Sequence, residues 1–144
     1  MDAELQQKLY EKYPDLFSNK DKGIQNSCMA WGCEVGNGWY EIISSVCWMI
    51  VQHERNQEDN RKYLENNDPE KLASLPEYFS VKFDQVKEKY GGLRLYFTGG
   101  DDYIRGMVRM AEAMSYKICE VCGNKGQPNK GGWITTLCDS CRKA

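Results

Sequence analysis

Residues 119–141 read CEVCGNKGQPNKGGWITTLCDSC. Two Cys-x2-Cys pairs, Cys119/Cys122 and Cys138/Cys141, flank 15 intervening residues, a spacing that reads as a zinc site. A two-residue gap lets a knuckle turn aim two sulfurs at one ion, and Gly123 helps the chain reverse. Two such knuckles complete a tetrahedral thiolate shell with bonds of about 2.3 Å. The segment between them holds turn residues (Gly126, Pro128, Gly131, Gly132) and one strand candidate, Trp133 to Leu137. So few apolar residues cannot fold alone, and the metal must supply much of the folding free energy. Four thiolates also close the shell to water, so one structural rather than catalytic zinc is expected. A redox Cys-x-x-Cys would not need a second copy.

Outward from this ribbon, assigned to residues 117–144, the preceding 116 residues read as an α+β body. Leu93, Leu95 and Phe97 alternate along one strand, and Phe79, Val81 and Phe83 along another. The apolar phase slips to Val86 and Tyr90, which predicts a β-bulge near Asp84–Gln85. Gly91-Gly92 is a two-residue hairpin signal. A turn there pairs Tyr90 with Leu93, Lys89 with Arg94, Lys87 with Tyr96 and Val86 with Phe97. Tyr90, Leu93, Leu95, Val86 and Phe97 then share one face, with Glu88 out of place among them.

Helices are expected on this small antiparallel sheet. Asp2 can cap the first, with Leu5 and Leu9 at helical spacing and Pro14 turning the chain. Trp39, Ile42, Ile43, Val46, Cys47 and Ile50 predict a second, over about 39–53, capped by Asn37 or Gly38. Gly99-Gly100-Asp101-Asp102 ends the strand and caps a third, whose stripe is Ile104, Met107, Val108, Ala111 and Met114. Residues 54–77 are polar, carry Pro69 and Pro76, and predict a mobile insertion with one short helix.

The chain of 144 residues suits one domain or a domain with a small appendage. A formal charge of −2 argues against coating nucleic acid by bulk charge, so any basic surface must be local. No apolar run approaches the roughly 18 residues of a membrane span, and the start is no secretory signal. Seven cysteines leave three outside the zinc pattern, an arrangement suited to a reducing compartment. The expectation is a soluble cytoplasmic protein. Cys28, Cys33, Cys47 and His53 can be written as a second metal site. The loose Cys28–Cys33 spacing and the place of Cys47 on an apolar helix face instead favour buried thiols.

The other face of the hairpin carries Lys82, Lys87, Lys89, Arg94 and Tyr96. Like charges opposed across a ladder cost up to about 1 kcal/mol, tolerable on a wet face and useful where an anion binds. In the ribbon Lys117, Lys125, Lys130, Arg142 and Lys143 outnumber Glu120 and Asp139, five to two. Trp31, Trp39, Tyr40, Tyr96 and Trp133 offer flat surfaces for a base, or simply core. The expected binding set is Lys87, Lys89 and Arg94 on phosphate, with Tyr96, Trp31 and Trp39 beside them.

Catalytic signals are weak. Gly36-Asn37-Gly38 lacks the third glycine and preceding strand of a dinucleotide fingerprint. Asp101 and Asp102 would repel a phosphate from the helix they cap. His53, the single histidine, reads as a solvated helix terminus. No nucleophile elbow, HExxH or paired-carboxylate pattern is present.

Three segments, CMAWGCEVGNGWYEII (28–43), VKEKYGGLRLYFTGG (86–100) and the helix running into CEVCGNKGQPNKGGWITTLCDSC, together resemble a family of small tailed-phage and prophage proteins. The resemblance covers about residues 28–50 and 81–141, leaving 54–77 as an insertion. It implies a phage setting, in the host cytoplasm, rather than a reaction. The expected function is non-enzymatic: a host-directed, anti-defence binding protein that captures an anionic nucleotide-like ligand or blocks a host protein. Two alternatives stand beside it. One is an adaptor whose zinc ribbon contacts protein or nucleic acid. The other is a small enzyme using segment 31–40 with His53 or Glu34.

Overall fold

The computed structural model describes residues 1–144. Its main sheet has three strands, in the order β1 (Cys33–Glu34), β2 (Lys82–Lys89), β3 (Gly92–Thr98). Helices α1 (Ala3–Lys12), α2 (Tyr40–Asn67), α3 (Pro69–Ser74) and α4 (Asp102–Ser115) surround it. The C-terminal segment adds a two-stranded ladder, β4 (Gln127–Pro128) with β5 (Thr136–Leu137), and a last helical turn α5 (Asp139–Lys143). The α+β architecture is as the sequence predicts. The sheet is mixed rather than purely antiparallel, because β1 lies parallel to β2, with Cys33 beside Val86 and Glu34 beside Lys87.

The hairpin register differs from the predicted one. Lys89 faces Gly92, Glu88 faces Leu93, Lys87 faces Arg94 and Val86 faces Leu95. The loop is Tyr90-Gly91, with φ of 52° and 77°, the left-handed pair that a type I′ turn requires. Gly92 is instead a strand residue pressed against the ring of Tyr116. Relative to the predicted pairing, one strand slides by two residues. A slide of two keeps the paired strand side chains on their own faces, so alternation alone could not decide between the registers; Tyr90, expected beside Leu93 on the apolar face, is instead in the turn and exposed. The bulge sits where predicted, between Phe83 and Gln85. The buried side chain of Asn19 closes it by donating to the Phe83 carbonyl (3.0 Å) and to Asp84 (3.2 Å). Glu88 is not misplaced: its carboxylate accepts the Gly91 N–H at 2.6 Å and fastens the turn.

The outer edge of β3 is closed by α4. Ser115 Oγ accepts from Leu93 N at 2.9 Å, and Glu112 accepts from Leu95 N at 3.0 Å. Side chains thus replace the neighbouring strand that an open edge invites. Beneath the sheet, Leu9, Leu16, Phe17, Trp39, Ile43, Ile50, Phe83, Val86, Leu93 and Ile104 form one buried apolar cluster. Each large side chain buried there contributes about 1.5–3 kcal/mol. Phe17 joins α1 to the sheet, with its ring 5.1 Å from that of Phe83.

Residues 54–67 are not a mobile connection but the second half of α2, which runs to Asn67. The sequence signal failed because this half buries only Leu64 and therefore carries no apolar period. Its Glu, Arg, Gln, Lys and Leu favour a helix, its four Asn and Asp59 do not, and it is tied down by polar contacts. Glu54 accepts from Val81 N at 2.7 Å and from the Tyr78 hydroxyl at 3.2 Å. Arg61 donates to the Pro76 carbonyl at 2.6 Å. Asp68 then ends α2 and caps α3 through Lys71 N, with Pro69 in the first turn. No helix is long and apolar enough to cross a membrane.

Candidate metal centre and adjoining cleft

Cys119 leaves α4 through a bridge between Ile118 and Lys125. Its carbonyl accepts from Gly123 N at 2.9 Å, and its own N–H donates to the Asn124 carbonyl at 2.7 Å. These bonds curl residues 119–124 into the first knuckle. Cys138 caps α5 and sets Cys141 one turn on, with Cys141 N donating to Cys138 Sγ at 3.4 Å. All four sulfurs lie within 4.8 Å of one another. Cys122 and Cys138 are 3.6 Å apart, far beyond a disulfide bond, and all seven cysteines are free thiols. The four are placed to hold one metal ion. Tetrahedral ligands on bonds of about 2.3 Å stand roughly 3.8 Å apart, which this spacing fits.

Local electrostatics suits the same purpose. Burial raises the Cys119 thiol, but N–H groups of Cys122, Cys138 and Val121 outweigh it and bring the thiol down to about 6. Cys141 is pushed up to about 12, first by its hydrogen bond with Cys138. A bound cation offsets the crowding of negative sulfurs. Cys28, Cys33, Cys47 and His53 form no such group. Cys33 and Cys47 are buried core thiols, and burial lifts Cys33 to about 12. Cys28 is exposed, contrary to the buried thiol expected.

The knuckle is seated on the body. Gly38 N donates to the Glu120 carbonyl at 2.7 Å, and Gly36 N to the Glu120 carboxylate at 3.0 Å. Trp39 Nε1 donates to the Ile118 carbonyl at 2.9 Å. A Cβ on Gly38 would collide with the Cys119 carbonyl oxygen and Gly123 N. The Gly36-Asn37-Gly38 run is therefore a backbone seat, not a phosphate loop. Asn37 does not cap α2; its amide exchanges hydrogen bonds with Asp2. A second seam lies at the hairpin tip, where buried Thr136 donates to the Gly91 carbonyl at 2.6 Å.

Between that tip and the loop joining the two cysteine pairs lies a cleft of about 710 Å³. Gln85, Lys87, Lys89 and Tyr96 come from the polar face of the hairpin, Glu88 and Tyr90 from its tip, and Gly132, Trp133 and Ile134 from the metal module. Lys87, Lys89 and Tyr96 are thus brought together as expected. The other three expected residues are not. Arg94 stands opposite Lys87 rather than Lys89, and its guanidinium is held by the Leu93 carbonyl (2.7 Å) and the Tyr116 hydroxyl (3.0 Å). Trp39 is fully buried in the core and cannot stack on a ligand. Trp31 is exposed on a separate 3-10 turn (Cys28–Trp31) and lines none of the cleft. The indole that does line the cleft is that of Trp133, 82% exposed.

Sequence reasoning also missed a polar link in the body. His53 is not a solvated terminus, because α2 continues past it. Its Nε2 lies 2.7 Å from Asp101 Oδ2, and its ring stacks on Tyr103 at 4.3 Å between centroids. Asp101 also caps α4 through Ile104 N at 3.1 Å. Burial raises the Asp101 carboxyl, but the bonds from His53 and Ile104 hold it below the usual carboxylate range. The Asp101 cap was legible in the sequence; its histidine partner, 48 residues away, was not.

No family model, curated protein or solved structure matches the chain. Its function is therefore argued from the site.

Proposed function

We propose that the protein is a zinc-braced capture protein that holds an anionic, nucleotide-like ligand in the cleft between the hairpin and the metal module. The observation that carries this reading is the convergence of Lys87, Lys89, Tyr96 and Trp133 on one cleft of about 710 Å³. Ammonium groups recognise phosphate as point charges. Exposed aromatic faces stack on bases without needing a particular sequence. Four thiolates in a closed shell suit zinc and leave it a bracing role. The ion holds the loop whose Gly132–Ile134 stretch forms one wall of the cleft.

Capture rather than turnover is supported by the lining itself. The one carboxylate there, Glu88, is committed to the Gly91 N–H, and neither serine nor cysteine joins it. On the resemblance to tailed-phage proteins, such capture would serve a phage in an infected cell by sequestering a nucleotide signal or blocking a host factor. An adaptor role is the second reading, favoured by Val121 and Trp133, both exposed on the metal module.

A thermal-shift screen of nucleotides, with native mass spectrometry for bound metal and ligand, tests the proposal. One zinc per chain and a nucleotide-dependent rise in Tm, lost in the Lys87→Glu/Lys89→Glu double variant, are expected. A Tm unmoved by every nucleotide, with a macromolecule retained through residues 119–134, would favour the adaptor.

A further inference from the structure

We infer that the occupant of the cleft carries a single phosphate group, as a phosphomonoester or phosphodiester, joined to a planar base that packs against Trp133. This deepens the reading of the cleft as a nucleotide site and rests on it. The first argument is a charge count. The lining holds two cations, Lys87 and Lys89, and one anion, Glu88. Arg94, beside Lys87 across the hairpin, is engaged by the Leu93 carbonyl and the Tyr116 hydroxyl. On the far side of Lys87 its partner across the parallel ladder is Glu34, an exposed acid. A terminal phosphate carries about −1.5 to −2 at neutral pH, which two lysines match. Each further phosphate of a di- or triphosphate would find no further cation in the lining.

The second argument concerns the metal that polyphosphates bring with them. Magnesium is usually held by one or two carboxylates together with the phosphates. The single carboxylate of this cleft already fastens the turn through Gly91 N. Neither a helix N-terminus nor a second acid lies in the lining, so nothing replaces the missing charge.

The third argument is geometric. Tyr90, Tyr96 and Trp133 are 71%, 42% and 82% exposed, so three ring faces are open at one cleft. Lys89, itself exposed, has its Nζ 5.7 Å from the Tyr90 ring centroid, which pairs the ammonium with one of these rings. Phosphate at the lysines and a base at the indole span the cleft from its hairpin wall to its metal-module wall. A mononucleotide, or one dinucleoside step, carries one phosphate and a base for these two walls.

The test is calorimetric titration of the zinc-loaded protein at fixed ionic strength. The probes are the four nucleoside monophosphates, adenylyl-adenosine, adenosine, and adenosine di- and triphosphate with magnesium. We expect at least one monophosphate and the dinucleotide to bind, no tightening from mono- to triphosphate, and a loss of about 10-fold or more without the phosphate. Trp133→Ala should weaken every binding probe by about 10-fold, while Trp133→Phe retains most of the affinity. Lys89→Glu, with circular dichroism confirming the fold, should weaken the phosphorylated probes and leave adenosine unchanged. Affinity that climbs with each phosphate would overturn this inference and leave the nucleotide reading standing. Adenosine binding as tightly as its monophosphate would also overturn it. Failure of every nucleotide to bind the folded, zinc-loaded protein would overturn both.

Discussion

The body and the C-terminal module reach one rigid arrangement by different means. The body is held by a cluster of 21 buried residues, every one of them before position 112. From residue 117 onward the chain adds only Ile118 at the margin of that cluster. Its own buried side chains are Cys119 and Thr136, one a sulfur ligand and the other a hydrogen-bond donor to the hairpin tip. Where apolar area is available, its burial does the work. Where it is absent, four sulfurs and a few backbone bonds must do it. The difference teaches where each half is vulnerable: the body to cavities and lost caps, the module to loss of metal and of its seat.

The largest expected effect breaks the module alone. Cys119→Ser removes a buried ligand from a site of a kind worth of order 10 kcal/mol in small zinc domains. We expect loss of bound zinc and of the near-ultraviolet signal of Trp133, while the far-ultraviolet helical signal of α2 and α4 persists. Nucleotide affinity should fall with it, because one wall of the cleft goes.

Next comes the seat. Gly38→Ala forces a methyl group into the Cys119 carbonyl, and overpacking of this kind costs about 1–3 kcal/mol. Its control is Gly106→Ala on α4, where an added Cβ meets nothing within 4 Å. That change should stabilise the protein by about 0.5–1 kcal/mol, and thermal denaturation of the pair sharpens the contrast.

A smaller effect belongs to the body. Asp101→Ala removes the α4 cap and the partner of His53, at about 1–2 kcal/mol. Because the Asp101 carboxyl is held below its unfolded value, its contribution is present above the usual carboxylate range and is lost as pH falls through the folded-state value. The variant should therefore show a shallower decline in stability on acidification below about pH 4. The smallest effect is expected at the hairpin turn. Tyr90 holds φ of 52°, and Tyr90→Asn, better suited to the first position of a type I′ turn, should raise Tm by a degree or two.

What the sequence showed, and what it withheld, follows the same division. The cysteine spacing was legible because metal ligation is a local pattern. The caps at Asp2 and Asp101 and the bulge beside Asp84 were legible for the same reason: each acts within a few residues of itself. The hairpin register was not, since two registers kept the same strand faces, and the turn is settled by contacts from distant residues such as Tyr116 on Gly92 and Thr136 on Gly91. The second half of α2 was hidden because helix propensity without an apolar stripe leaves no period to read. Trp39 left its expected place at the ligand for a related reason: it is buried in the core, while Trp133, read as stacking surface or core, is exposed at the cleft. Composition marks an indole as valuable surface, while only the fold says which one the core has taken. Strand β1 pairs over just two residues, too short for an alternation to announce it.

Hydrogen–deuterium exchange of the zinc-loaded protein, repeated after a strong chelator has removed the ion, tests the central claim most directly. The account predicts that amides of residues 117–144 lose protection and that residues 90–92 loosen with them, while α2, α4 and the paired residues of β2 and β3 stay protected. Protection of residues 117–144 that survives complete removal of the metal would contradict it.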